Sequence, residues 1–83
     1  MSNDPQFADE AQFIVVPRTR GSSSLVELRQ IARSKGVEIA RVLGPDEKPV
    51  RLIIRGSRIK IAELRELFSN DCIFEEDRRL RPA

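Results

Sequence analysis

Apolar positions along this chain alternate between strand-like runs and helical stripes. Phe13-Ile14-Val15-Val16, between Gln12 and Pro17, is a short unbroken run of aromatic and β-branched residues. That pattern predicts a strand buried on both faces, with Pro17 ending its ladder. Beyond the loop Arg18–Ser23, Leu25, Leu28, Ile31 and Ala32 recur at helical spacing. Ser24 and Glu27 have the spacing of a capping box, and Gly36 suits the left-handed residue that closes a helix, so a helix is expected over 24–35. Val37 to Leu43 predicts a second strand, and Gly44-Pro45-Asp46-Glu47-Lys48-Pro49 is turn-rich. A third strand, Val50 to Arg55, would set Val50, Leu52 and Ile54 on one face and Arg51, Ile53 and Arg55 on the other. Gly56-Ser57 breaks the chain. Ser57 is placed to cap a second helix over 58–68, with Ile61, Leu64, Leu67 and Phe68 as its apolar stripe. Cys72-Ile73-Phe74-Glu75 reads as a short last strand.

The predicted order is β-α-β-β-α-β. Right-handed crossovers around a central hairpin leave one compact solution: an α+β, ferredoxin-like open sandwich, with a four-stranded antiparallel sheet and both helices on one face. The expected organisation is an acidic disordered leader at 1–11, the folded domain at 12–77 and an extended tail at 78–83. Length agrees, since 83 residues suffice for one domain and not for two.

Charge and chemistry narrow the function. The net charge is +2, but Asp4, Asp9 and Glu10 make the leader acidic and leave the body basic. Histidine is absent and Cys72 is the lone cysteine. A His-bearing catalytic triad, a zinc site of His and Cys ligands and an internal disulfide are therefore excluded. No cofactor, metal site or catalytic residue is expected, and Cys72 reads as a small apolar strand residue. The start has neither the basic residues nor the apolar core of a signal peptide, and no run is long enough to span a membrane. The localisation expected is cytoplasmic.

The sheet face left open by the helices is the candidate site. With Ala40 and Val42 turned inward on the second strand, that face would hold Val37, Ile39 and Ile53, bordered by Arg41, Arg51 and Arg55. An apolar patch with a basic border suits protein contact. Nucleic acid is disfavoured. RNA-binding sheets of this topology stack bases on aromatics of the central strands, whereas the third strand offers Ile53 between two arginines. Backbone-only binding by Arg41, Arg51, Arg55 and Arg58 would rest on a modest body charge. The loop Gly21-Ser22-Ser23-Ser24, with Arg18 and Arg20, lacks the Gly-Lys-Ser of a phosphate loop and reads as a capped helix entry.

The last third of the chain resembles the propeptide, or peptidase-inhibitor, domain of subtilisin-like serine proteases. The resemblance is carried by Gly56-Ser57, by Leu64-Arg65 and by Asn70-Asp71-Cys72-Ile73-Phe74-Glu75-Glu76-Asp77, with Phe13-Ile14-Val15-Val16 similar to the family's opening strand. The chain departs from the family in Ser57-Arg58-Ile59 and in a segment from Gly56 to Asp77 about one helical turn short, on a 3.6-residue turn. The resemblance implies a ferredoxin-like fold whose open face packs on two helices of a protease. It implies acids that cap those helices, a role matched by Asp46 and Glu47. It also implies a tail, Leu80-Arg81-Pro82-Ala83, that enters the active-site groove as a product-like strand with Ala83 in the primary pocket.

These readings lead to a non-enzymatic module that inhibits a subtilisin-like protease or assists its folding, a monomer alone or a weak homodimer. The alternative is a regulatory or assembly module, pairing its sheet with a second copy or sensing a small ligand as ACT-like domains do.

Overall fold

The computed structural model describes residues 10–77. The elements are β1 (Glu10–Pro17), α1 (Ser24–Ser34), β2 (Glu38–Leu43), β3 (Arg51–Ser57), α2 (Arg58–Leu67) and β4 (Cys72–Glu76). The strands form one antiparallel sheet in the order β2-β3-β1-β4. With two helices, this is the ferredoxin-like α+β sandwich that the hydrophobic pattern predicts.

Register decides which side chains share a face, because residues directly opposite in neighbouring strands point the same way. Phe13 lies opposite Ile54, Val15 opposite Leu52 and Phe74, and Pro17 opposite Cys72. These residues face the helices. Val15, Leu52, Ile54 and Cys72 join Leu25, Leu28 and Ala32 of α1 and Ile61, Leu64 and Phe68 in a single buried core. Each fully buried Leu, Ile or Val contributes roughly 1.5–3 kcal/mol relative to its exposed state, so this one cluster carries the fold.

The helix boundaries follow the sequence, but one cap differs. Ser57 Oγ accepts from the Ile59 N–H at 3.2 Å and opens α2. At α1 the capping box is not formed. The cap position is Ser23, whose side chain makes no cap bond, and Ser24 is buried in the first turn. Ser22 Oγ accepts from the Ser24 N–H and its hydroxyl donates to Ser24 Oγ, both at 3.0 Å. The packing of Ser24 against Cys72 displaces the cap: the Cys72 thiol donates to Ser24 Oγ at 3.5 Å. Gly36, at φ 82°, closes α1 as expected. On α2 the buried stripe is Ile61 and Leu64, continued by Phe68 at the C-cap, while Leu67 is exposed.

Three strand readings are corrected. β1 begins at Glu10, opposite Ser57, and Ala11 is buried opposite Gly56, so the first two residues of the strand come from the stretch assigned to the leader. β1 is sealed on its helix side alone, and Ile14 and Val16 on the other side are half-buried. Val50 precedes β3 and is 59% exposed, because the turn holds it at the sheet end, where its N–H donates to Leu43 O.

The largest correction is in β2. Ile39 lies opposite Ile54 and Arg41 opposite Ile53, so Ala40 is an extra residue in a β-bulge. One inserted residue breaks the two-residue alternation. Arg41 and Val42 point as the alternation predicts, but Val37 and Ile39 are turned to the helix side. Val37 is 2% exposed and belongs to the core, and Ile39 packs against it.

Candidate interaction face

The open face is built from three rows that cross the sheet from β2 to β4. The central row is Arg41, Ile53, Ile14, Glu75. Toward the hairpin connecting β2 and β3, the next row is Leu43, Arg51, Val16, Ile73, in which Leu43 opposes Arg51 and Val16 opposes Ile73. Toward the other end, Glu38 opposes Arg55 and Arg55 opposes Gln12. The apolar patch is thus Ile14, Val16, Ile53 and Ile73, with Leu43 at its corner. Ile73 is 44% exposed.

Of the six residues expected here, the structure brings together Ile53, Arg41, Arg51 and Arg55, and the bulge removes Val37 and Ile39. Ile14, Val16 and Ile73 take their place. Their signal was present in the sequence: a strand between two others on a half-covered sheet exposes every second residue of an apolar run, and Ile14 and Val16 alternate with Phe13 and Val15.

The border is mixed rather than basic. The Arg55 guanidinium donates to Glu38 Oε1 at 3.2 Å and to Oε2 at 3.4 Å, a cross-strand pair that neutralises that corner. Arg41 and Arg51 stand on the β2–β3 side and are exposed, as is Glu75 on β4. Positive charge lies toward one edge of the face and a carboxylate at the other. All three aromatic rings among the described residues, at positions 13, 68 and 74, belong to the helix side: Phe68 is in the core, and Phe13 and Phe74 pack against it. A base-stacking platform therefore has no ring on the open face among the described residues.

Asp46 and Glu47 are exposed in the β2–β3 connection. Arg29 of α1 binds the first of them twice, through Nη2 to the Asp46 carbonyl at 3.1 Å and through Nη1 to Oδ1 at 3.6 Å. This connection lies at the end of the sheet away from the point where β4 finishes and Asp77 N–H donates to Gln12 O at 2.8 Å. Leu80, Arg81, Pro82 and Ala83 lie outside the described residues, as do residues 1–9.

Beside the hairpin end, a hollow of about 730 Å³ is lined by Val16, Pro49 and Val50 and by the cations Arg18, Arg20 and Lys48. Arg18 is engaged elsewhere, donating from Nε to Ser69 O at 3.0 Å. Cys72 is buried, and burial pushes its thiol up from the ordinary range, against a smaller opposing effect of the Ser24 hydrogen bond. A protonated, enclosed sulfur is a packing residue and a poor nucleophile. Among the described residues no group of His, Cys, Asp and Glu is arranged to hold a metal ion, and no helix is long and apolar enough to cross a membrane. No family model, no curated protein and no solved structure matches the chain.

Proposed function

We propose that this chain is a non-enzymatic protein-binding module, and that its partner is a subtilisin-like serine protease that it inhibits or helps to fold. The observation that supports this reading is the uncovered apolar patch Ile14, Val16, Ile53 and Ile73 on a sheet whose other side is sealed by both helices. Contiguous aliphatics on a rigid, half-covered sheet form the apolar centre of a protein interface, and the charged border supplies orientation. The choice of a protease comes from the resemblance in residues 56–77 and from a tail of the right composition, Leu80-Arg81-Pro82-Ala83. The face and the tail carry the proposal. Asp46 and Glu47 would share it only with a partner that spans the length of the sheet.

The test is inhibition of several subtilisins by the intact chain, by a chain lacking residues 80–83 and by an Ile53→Asp variant. The intact chain should inhibit, the truncation should abolish inhibition with the circular dichroism spectrum unchanged, and Ile53→Asp should weaken it at least tenfold. Equal inhibition by the intact and truncated chains refutes the groove mechanism. Failure of the intact chain to slow any subtilisin refutes the choice of partner.

A further inference from the structure

We infer that the open face is self-complementary and pairs with the same face of a second copy about a twofold axis running along the strands between β3 and β1. The inference stands on the sheet register and does not depend on the protease reading.

The central row reads cation, aliphatic, aliphatic, carboxylate: Arg41, Ile53, Ile14, Glu75. A twofold axis along the strands, midway between β3 and β1, lays this row over its own reversal. Ile53 then meets Ile14 of the second copy, and Arg41 meets Glu75, each contact occurring twice as an isologous interface requires. In the neighbouring row Leu43 falls over Ile73 of the second copy and extends the apolar centre, while Arg51 falls over Val16, its alkyl stem lying on the aliphatic and its guanidinium turned to the open end of the sheet. In the third row Arg55, already paired with Glu38, falls over Gln12. About this axis the strand axes of the two sheets stay aligned, with β3 of one copy over the antiparallel β1 of the other, which is the aligned packing of β-sandwiches about 10 Å apart.

Within one chain Arg41 and Glu75 stand on the two edge strands. Three interstrand gaps of about 4.8 Å separate them by about 14 Å, so they make no ion pair of their own. Their complementarity is realised between copies. The face is small, roughly 19 Å by 17 Å for four strands and five residues. It falls below the roughly 800 Å² per partner of a standard interface, so the pairing is reversible and follows concentration. Because it covers Ile53 and Ile14, the paired form withholds the patch from any other partner.

Sedimentation velocity from micromolar to millimolar concentration tests this. The intact chain should move from 9.5 kDa toward twice that mass, less readily in high salt. Arg41→Glu alone and Glu75→Arg alone should each remain monomeric, since each sets like charges against one another. Both sites are exposed, so the fold is retained. An equimolar mixture of the two variants should form a heterodimer, and the double variant should self-associate like the original chain. A chain that stays monomeric throughout overturns the inference, as does a mixture in which the single variants fail to pair. Single variants that dimerise as well as the original chain also overturn it.

Discussion

Deleting Ala40 should leave this protein folded. Removing a residue from the middle of a strand normally reverses the facing of everything on one side of the gap. Here the strand already holds one residue too many: Ile39 opposes Ile54 and Arg41 opposes Ile53, with Ala40 between them. Without Ala40, Ile39 and Arg41 become consecutive, one facing in and the next facing out, and the ladder becomes regular. The lost features are an exposed methyl group and the local twist of the bulge, so the change in stability should stay within about 1.5 kcal/mol. The outcome differs sharply if β2 has no bulge. Deletion would then turn Val37 and Ile39 to water, at about 3 kcal/mol together, and drive the Glu38 carboxylate toward the core at a cost of several kcal/mol more. A domain of this length has about 4–12 kcal/mol in hand, so that combination would remove most or all of the fold. Urea unfolding followed by circular dichroism measures the difference. With a slope of about 1 kcal/mol per molar urea, the midpoint should shift by no more than about 1.5 M. Deletion of Ile53, in the bulge-free pairing of β3 with β1, is the control and should unfold the chain, because Leu52 or Ile54 must leave the core. Loss of cooperative unfolding in the Ala40 deletion refutes the bulge as the origin of the facing of Val37 and Ile39.

Two further outcomes follow from the caps and the buried thiol. Ser57→Ala removes the acceptor of the Ile59 N–H and should cost about 1 kcal/mol, whereas Glu27→Ala, in the box that does not form at α1, should stay within about 0.5 kcal/mol; equal costs in urea unfolding would contradict the cap assignment. Burial raises the Cys72 thiol in the folded state, so the unfolded chain releases that proton first, and the stability associated with it is full below the unfolded thiol value of about 8.5 and is lost as pH rises beyond it. Between pH 7 and 10 the original chain should therefore lose stability more steeply than Cys72→Ala, by up to about 1.4 kcal/mol per pH unit, and parallel pH curves would refute the argument.

The parts of this fold that were legible in the sequence depend on local periodicity. Leu25, Leu28 and Ala32, or Ile61, Leu64 and Phe68, repeat at a spacing that only a helix can bury. Gly36 and Ser57 mark ends through backbone chemistry that does not depend on the rest of the chain. The sheet order follows from those elements because a ββ hairpin between two βαβ crossovers has few alternatives. What was not legible depends on contacts between distant residues. Ser24 looks like a cap until the hydrogen bond to Cys72, at a separation of 48 residues, draws it into the interior. Ile14 and Val16 belong to an unbroken apolar run whose two faces look alike until helices cover one of them. In β2 the sequence Val37-Glu38-Ile39-Ala40-Arg41-Val42 alternates acceptably in either facing, and only the pairing with β3 reveals the additional residue.

The same bulge ties the interior to the outer surface. The core requires Ile39 inside against Ile54 and Val42 inside against Leu52. Those two positions lie three residues apart, an odd interval that strict alternation would assign to opposite faces. Two demands on one short strand are therefore incompatible without an irregularity, and the bulge resolves them at Ala40, where the side chain is small enough to be left outside both layers. The consequence appears on the open face. Arg41 is brought level with Ile53, and through Ile14 with Glu75, so that a cation and a carboxylate end the same row. Had Val37 and Ile39 stayed outside, β2 would have extended the apolar patch to the sheet edge, and an edge strand that is both unpaired and apolar invites indiscriminate association. Turning them inward fills the core and leaves Glu38, Arg41 and Leu43 on the open face of that edge, so that contact through the proposed interface would be selective for a surface that can match Arg41 on one side and Glu75 on the other.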